Sequence, residues 1–536
     1  MRGTANRQLS GRRCRCRCLS FSSSPSPSPS PSWTQAIRSA ADLGRPRRAL
    51  ALYADMPRSG YCPDPFAAAV ALKACGRIAS KLIAASIHCQ LHKLGFHSHV
   101  YPQTALADFY SKFEGMEAAR KLFDEIPVKN VVSWNSILSM YLRAGELELA
   151  RRTFHEMPVR DVVSWNSIIS GYAKAGDMDT AAELFDRMPE RNSASWNGMI
   201  SGYINRGDMG MAREFFDEMP IRNNVSWIAM ISGYTKCGDV VSARNIFNQI
   251  EKKDLYIWNA MIACYAQNGC PTEAIQSFNR MRKLDSGVEL DEMTFSSVIS
   301  SCSQLGNLRF GLWIEQYMHL LGIELDDHLR TAFIDLYSKC GRLEKSFELF
   351  AELRKRDIVS YSAMIMGCGI NGRSNDAVEL FQRMLGEKIL PNSVTFIGLL
   401  SAYNHAGLVE EGYRCFASMS KKYKIAPMVD HYAIIVDLLG RKGRLDEAYQ
   451  LIRKMPMQPH VGIWGALLMA SRLHGNIELG EIAARNCFKM EPKEIGYYIL
   501  LARLYTEVGK ISKAEKVRKM VEEKGLSKTP GCSWVE

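Results

Sequence analysis

Between Val131 and Asp161 the apolar side chains recur at helical spacing in two blocks. Trp134, Ile137, Leu138 and Tyr141 share one face of a first segment that ends at Ala144-Gly145, and Leu147, Ala150, Phe154 and Met157 share one face of a second that stops before Pro158. The pattern predicts a helix-turn-helix hairpin. Its neighbours repeat it: the hexapeptide VVSWNS stands at 131–136 and again at 162–167, and Trp134, Trp165, Trp196, Trp227 and Trp258 are each 31 residues apart. The junctions MPVRD, MPERN and MPIRN place a proline and an Asn or Asp where one hairpin must stop and the next begin. A fixed period of this size marks an array in which each unit buries its apolar face against its neighbours, not in one globular core.

Followed along the chain, the period varies. Units fall at 30–64, 65–99 and 100–130, then in four consecutive 31-residue windows to Asp254, then at 255–291, 292–326, 327–357, 358–392, 393–428 and 429–460, about 13 in all. Composition agrees, because no break interrupts the 536 residues after an N-terminal leader and the 47% hydrophobic content suffices to pack a long array. No run approaches the roughly 18 uninterrupted apolar residues of a membrane span, so no membrane partner is expected. Twelve of the fifteen cysteines are scattered through the repeats without a CxxC pair, which predicts reduced, buried thiols.

The leader differs in chemistry. From Met1 to Ser32 it has no acidic residue, six arginines and the tract FSSSPSPSPSPS, so residues 1–29 are expected to be an organellar transit peptide. Its CRCRC core has two-residue spacing and no histidine, which is poor metal-ligand geometry. The leader supplies six of the twelve net positive charges. The remaining charge permits a nucleic-acid partner without requiring one.

Phrases such as VVSWNSIISGYAKAGDMDTAAELFDRMPERN, MTFSSVISSCSQLG, TAFIDLYSKCGRLEKSFELF and NSVTFIGLLSAYNHAGLVEEG closely resemble plant pentatricopeptide repeat proteins of the mixed-length class, with P, L and S motifs. Tetratricopeptide arrays instead keep a 34-residue period, whereas this chain mixes 31, 35 and 36. The resemblance covers residues 30–536. It implies an all-α fold, a right-handed α-solenoid superhelix of helix-turn-helix repeats over 30–460. It also implies two E motifs over 461–536, in VGIWGALLMASRLHGNIELGEIAARNCFKMEP and IGYYILLARLYTEVGKISKAEKVRKMVEEKGLSKTPGCSWVE. In longer relatives a sequence like PGCSWVE leads into a cytidine deaminase domain. Zinc deaminases need an H-x-E and a C-x-x-C, and none of the eleven histidines begins an H-x-E. The chain is therefore expected to be non-catalytic, with no metal and no cofactor.

In this family single-stranded RNA is read one base per helical repeat, and the resemblance implies that the fifth and last residues of each repeat select the base. On that basis Thr34 with Asp64 selects G, Thr104 with Asn130 selects A, and Asn135 with Asp161 selects U. Asn166 with Asn192 and Asn197 with Asn223 select pyrimidines, C preferred. Asn259 with Asp291 selects U, Thr331 with Asp357 selects G, and Ser362 with Asn392 selects A. Ile228 with Asp254, Ala69 with His99, Ile397 with Met428 and Ala433 with His460 depart from the pattern, and Ser296 with Asp326 lies in a long-type unit where it is weak. The forecast, 5′ to 3′, is G-n-A-U-Y-Y-n-U-n-G-A-n-n. Lys174 and Lys236 are candidate phosphate contacts. The tryptophans read as core residues, since they share the stripe of Ile137 and Tyr141. Ser, Asn and Asp are equally the residues of helix caps and turns. The same positions thus admit an architectural reading in which Ser133 caps the first helix and Asn135 is a tolerated polar residue.

The expected function is recognition of a cytidine-to-uridine editing site in an organellar transcript, with a deaminase-bearing partner or other editing factor docking on 461–536. Mitochondrion is expected from the arginine-rich leader, with chloroplast as the alternative. An RNA stability or splicing factor and a tetratricopeptide-like protein scaffold remain open as alternatives.

Overall fold

The computed structural model describes residues 33–284 and 290–526. The leader and the closing PGCSWVE lie outside the described residues. Those described contain thirty α-helices in two compact units, one ending at Ile221 and one beginning at Arg222.

The first unit has six hairpins. They are α1 (Trp33–Asp42) with α2 (Pro46–Arg58), α3 (Pro65–Ile78) with α4 (Lys81–Lys93), α5 (Val100–Phe113) with α6 (Met116–Asp124), α7 (Val131–Ala144) with α8 (Leu147–Glu156), α9 (Val162–Ala175) with α10 (Met178–Asp186), and α11 (Ser193–Arg206) with α12 (Met209–Glu218). The second unit has nine. They begin with α13 (Asn224–Cys237) and α14 (Val240–Gln249), α15 (Leu255–Gln267) and α16 (Pro271–Leu284), α17 (Glu292–Leu305) and α18 (Leu308–Leu320), and α19 (Asp327–Lys339) and α20 (Leu343–Glu352). They continue with α21 (Ile358–Ile370) and α22 (Ser374–Gly386), α23 (Ser393–Ala406) and α24 (Val409–Lys421), and α25 (Val429–Arg441) and α26 (Leu445–Arg453). The last two are α27 (Val461–Leu473) with α28 (Ile477–Met490) and α29 (Ile495–Glu507) with α30 (Ile511–Glu523).

Within each unit every first helix packs on the first helix of the next hairpin, while second helices pack on first helices and not appreciably on one another. This is the expected α-solenoid of helical hairpins.

The hairpin at 131–161 shows how the sequence builds a unit. Asn130 caps α7 by accepting the Ser133 N–H at 2.9 Å, and Ile137, Leu138, Met140 and Tyr141 form the buried face. Gly145 then ends the helix at φ 79°, a left-handed conformation that a side chain would resist, and Glu146 N–H reaches back to Tyr141 O at 3.0 Å. Ser133 is not the cap that the sequence suggests. Val131 and Val132 are already helical, so Ser133 is the third helical residue, buried, with its hydroxyl donating to Asn130 O at 2.8 Å.

The recurring tryptophans join one hairpin to the next. Trp134, Trp165, Trp196 and Trp258 each stand edge-on to a phenylalanine of the preceding second helix (Phe123, Phe154, Phe185 and Phe247), with ring centroids 4.9 Å apart. Such a pair contributes about 0.5–1.5 kcal/mol beyond its burial. The same phenylalanine also meets a cation: Arg160 lies 5.1 Å from the Phe154 ring and Arg191 4.5 Å from that of Phe185. Each guanidinium also donates to the last carbonyls of the second helix, Arg160 to Phe154 O at 2.7 Å and to His155 O at 2.8 Å. Arg356 repeats the arrangement on Phe350. The basic residue of the RD and RN junctions is thus a structural element of the joint.

Glycine permits the closest helix approach in the second unit. A Cβ on Gly398 of α23 would lie 2.8 Å from Met366 N in α21, and one on Gly369 would lie 2.6 Å from Gly398 O. Backbone cannot yield as a side chain does. Gly398→Ala is expected to lower stability by about 1–3 kcal/mol through overpacking, read as a drop in the chemical-denaturation midpoint. Gly76→Ala, in α3, where an added Cβ meets nothing within 4 Å, is expected to be neutral or stabilising by up to about 1 kcal/mol.

Candidate nucleic-acid interface

Every residue that the resemblance places at the end of a repeat, from Asp64 to His460, is the N-cap of the next first helix and has extended backbone geometry. Its fifth-residue partner lies one turn inside the preceding first helix. Within each unit the two positions fall where neighbouring first helices adjoin, and the Asp and Asn caps also hold the helix start through their side chains.

Four pairs are joined directly within the units. Thr34 Oγ1 donates to Asp64 Oδ2 at 2.6 Å. Asn135 Nδ2 donates to Asp161 Oδ1 at 3.0 Å, and Asn166 Nδ2 to Asn192 Oδ1 at 3.3 Å. Asn259 Nδ2 reaches both oxygens of Asp291, at 2.9 and 3.0 Å. Ser362 lies at the 3.5 Å limit from Asn392 Oδ1 and bonds Thr395 Oγ1 at 2.7 Å.

Two pairs are not joined. The hydroxyls of Thr104 and Thr331 turn back onto their own helices, to Tyr101 O at 2.9 Å and Asp327 O at 2.8 Å, an alternative always open to a helical threonine. Asn130 and Asp357 keep their capping bonds, to Ser133 N and Ser360 N, both at 2.9 Å. Asn197 and Asn223 belong to different units. Asn223 caps α13 through Ser226 N at 3.0 Å.

The third helical residue completes the joined sites. Ser164 Oγ lies 2.7 Å from Asn135 Oδ1 and 2.8 Å from Asp161 Oδ1, and Thr294 stands likewise against Asn259 and Asp291. Both oxygens of each cluster lie in reach of one hydroxyl, so the amide is oriented with its NH2 toward the carboxylate. Burial pushes the Asp161 carboxyl up, but hydrogen bonds from Asn135 and from the Ser164 N–H and hydroxyl outweigh it and hold the group below the ordinary carboxylate range.

Some contributors escape a reading by residue pairs. The second residue of the first helices is an exposed apolar side chain in most hairpins: Phe66, Tyr101, Val132, Val163, Val225 and Tyr256 among them. A reading by residue pairs gives them no role. For Val132, Val163, Val225 and Tyr256 the signal is recurrence in steps of 31 residues or twice that, two positions ahead of Trp134, Trp165, Trp227 and Trp258. Lys174 is exposed. At its helical position in three other hairpins Lys112, Lys339 and Arg441 pair with Asp108, Asp335 and Asp437, at 2.7, 2.8 and 2.9 Å, which removes free positive charge from those hairpins.

Comparison with known sequences places this architecture. A PPR repeat model matches residues 31–61, 132–162, 163–193, 194–223, 225–255, 330–358, 394–423 and 430–458, and a second PPR repeat family model matches 253–304 and 356–405. The chain belongs to the pentatricopeptide repeat family. An E motif model matches 474–536. It starts at the end of α27, later than the boundary at 461 expected from sequence. Curated pentatricopeptide repeat-containing proteins of Arabidopsis thaliana are similar: a mitochondrial one is 39% identical over 251 residues, 47% of this chain and 37% of that protein. Another is 44% identical over 253 residues, 47% of this chain and 42% of that protein. The chain thus spans less than half the length of these relatives. Among solved structures, the pentatricopeptide repeat protein PPR10 from maize, in complex with an 18-nt psaJ RNA element, shares the fold at a TM-score of 0.52 and 19% identity, over 93% of this chain and 80% of that one.

Among the described residues of this pentatricopeptide repeat chain no group of three or more His, Cys, Asp or Glu is placed to hold a metal ion, and no helix is long and apolar enough to cross a membrane. The dual use of the caps can be measured. Asp161→Ala is expected to cost about 1 kcal/mol through the lost cap, and Asp161→Asn much less at neutral pH, by denaturation midpoint. Because the folded Asp161 carboxyl is held low, its contribution is present above the unfolded carboxylate pKa and is lost as pH falls through the folded value. The difference between the parent and Asp161→Asn should therefore shrink as pH falls below the ordinary carboxylate range and through the lowered folded value.

Proposed function

We propose that this chain binds single-stranded RNA sequence-specifically, one base per hairpin, without catalysing a reaction on it. The observation that carries this reading is the recurrence, at one helical phase and despite unequal repeat lengths, of a hydrogen-bonded polar pair beside an exposed apolar second residue. The apolar residue offers a surface to the face of a base and the pair offers hydrogen bonds to its edge. PPR10, which shares the fold, is an RNA-bound example.

The bonding inside each pair rationalises the expected bases. Asn135 and Asp161 leave one amide hydrogen and one carboxylate oxygen uncommitted, a donor and an acceptor that match the carbonyl and N3–H of uracil. In Asn166 with Asn192, the Asn192 oxygen already accepts from Asn166 and from Ser195 N. Its NH2 remains, a donor for N3 of cytosine. Thr34 with Asp64 presents carboxylate acceptors to the two donors on the guanine edge. In Ser362 with Asn392 the oxygen caps Thr395 N at 2.9 Å and the NH2 is available to N1 of adenine.

The biological role that fits is selection of a cytidine-to-uridine editing site in an organellar, by preference mitochondrial, transcript. The E motif at 474–536 supports a docking role for the C-terminal hairpins, with a deaminase-bearing protein acting in trans. Relatives include proteins described as mitochondrial and as chloroplastic.

Selection of the purified chain against a randomised single-stranded RNA pool at moderate salt tests the reading. The expected result is enrichment of the G-n-A-U-Y-Y-n-U-n-G-A core. Affinity for RNA that is independent of sequence, or none, would overturn it. Asn135→Thr should convert the fourth preference from U toward G, by roughly tenfold for one exchanged hydrogen bond of 1–2 kcal/mol, measured on two RNAs that differ only there. Loss of the line should leave a specific cytidine unedited in organellar RNA, whereas a change only in transcript ends or intron retention would favour a stability or splicing role.

A further inference from the structure

The hairpin starting at α13 lacks a polar fifth residue, since Ile228 stands there, and by the residue pairs alone it reads nothing. Its structure is different. Asn224, the first residue of α13 and one turn ahead of Ile228, reaches across to the cap of the next first helix, and its Nδ2 donates to Asp254 Oδ2 at 2.6 Å. Asp254 meanwhile caps α15 with its other oxygen, accepting the Ile257 N–H at 2.9 Å. As at Asp161, one carboxylate both holds a helix start and receives an amide from the preceding hairpin, here on separate oxygens where Asp161 uses Oδ1 for both.

The surroundings match as well. Asn224 is exposed, and the second residues of the two hairpins, Val225 and Tyr256, are exposed apolar side chains at 61% and 66%. On a helix, residues four apart lie on one face, so an amide at the first position serves the side that the fifth normally serves. Asn224 is free for this because Asn223 already caps α13.

We propose that Asn224 and Asp254 form a base-reading pair that selects uracil at the seventh position of the bound RNA. The inference rests on the RNA-binding reading above. The pair offers the second hydrogen of the Asn224 amide and, on two oxygens that each already accept one hydrogen bond, the remaining acceptor capacity of a carboxylate, complementary to the carbonyl and N3–H of uracil. Ile228 adds apolar contact in place of the usual amide.

The full chain and two variants, Asn224→Ala and Asp254→Asn, would be selected against the same randomised RNA pool. Neither variant removes a cap: Asn223 holds α13, alanine is a good helix former, and asparagine caps as well as aspartate. The expected result is U at the seventh position with the parent chain and a loss of about fivefold in that preference with Asn224→Ala. A shift toward C is expected with Asp254→Asn, with U at the fourth position unchanged throughout. U at the fourth position with no U preference at the seventh, or a seventh preference unmoved by Asn224→Ala, would overturn this pair and leave the base-reading function standing. No enrichment at any position would overturn both.

Discussion

The structure depends on one hydrogen bond repeated along the chain, the one from the third N–H of most first helices to the side chain of the residue that precedes the helix. A helix start leaves backbone donors unsatisfied, and a short oxygen-bearing side chain is the nearest remedy. Asp64, Asn130, Asp161, Asn192, Asn223, Asp254, Asp291, Asp326, Asp357 and Asn392 all supply it. Capping fixes where each of these residues stands and spends one acceptor. At Asp64, Asp161, Asn192 and Asp291 the side chain also receives a bond from the previous hairpin. Aspartate and asparagine are interchangeable as caps but opposite in what they leave over, an acceptor or a donor. On the proposed RNA-binding reading, base preference therefore changes from hairpin to hairpin without loss of the fold.

The joint between hairpins has its own closed set of interactions. In α6, α8, α10 and α14 a phenylalanine near the helix end meets both the tryptophan of the next first helix and an arginine or lysine, which also binds carbonyls at the helix end. The arginine or lysine next to the cap residue is consequently committed to the joint. On the proposed RNA-binding reading, positive charge toward the phosphates comes from elsewhere on the first helices. There Lys174 stands exposed while Lys112, Lys339 and Arg441 are partnered by aspartates four residues earlier. Electrostatic attraction is thus unevenly distributed along the array.

Much of this was legible in the sequence because a repeat is its own control. The 31-residue recurrence of tryptophan, the glycine closing most first helices and the proline at many junctions determined helices, turns and hairpin boundaries, since capping, left-handed backbone and the missing proline N–H act locally. The assignment of Ser133 as a cap was misplaced by three residues because Asn130 and Ser133 both suit the position. Only the placement of Val131 and Val132 inside the helix distinguishes them.

The tertiary structure decided which side chains meet. Thr34 bonds Asp64 whereas Thr104 and Thr331 turn onto their own helices, and nothing in the residue types distinguishes these threonines. Asn224 reaches Asp254 although Ile228 holds the usual place. The second residues of many first helices are apolar yet exposed, which depends on the packing of neighbouring helices. The physical reason is distance. Local backbone chemistry is written within a few residues, but a contact between side chains some thirty residues apart depends on how two first helices lie together, and that is set by packing at Gly369, Gly398 and the aromatic joints.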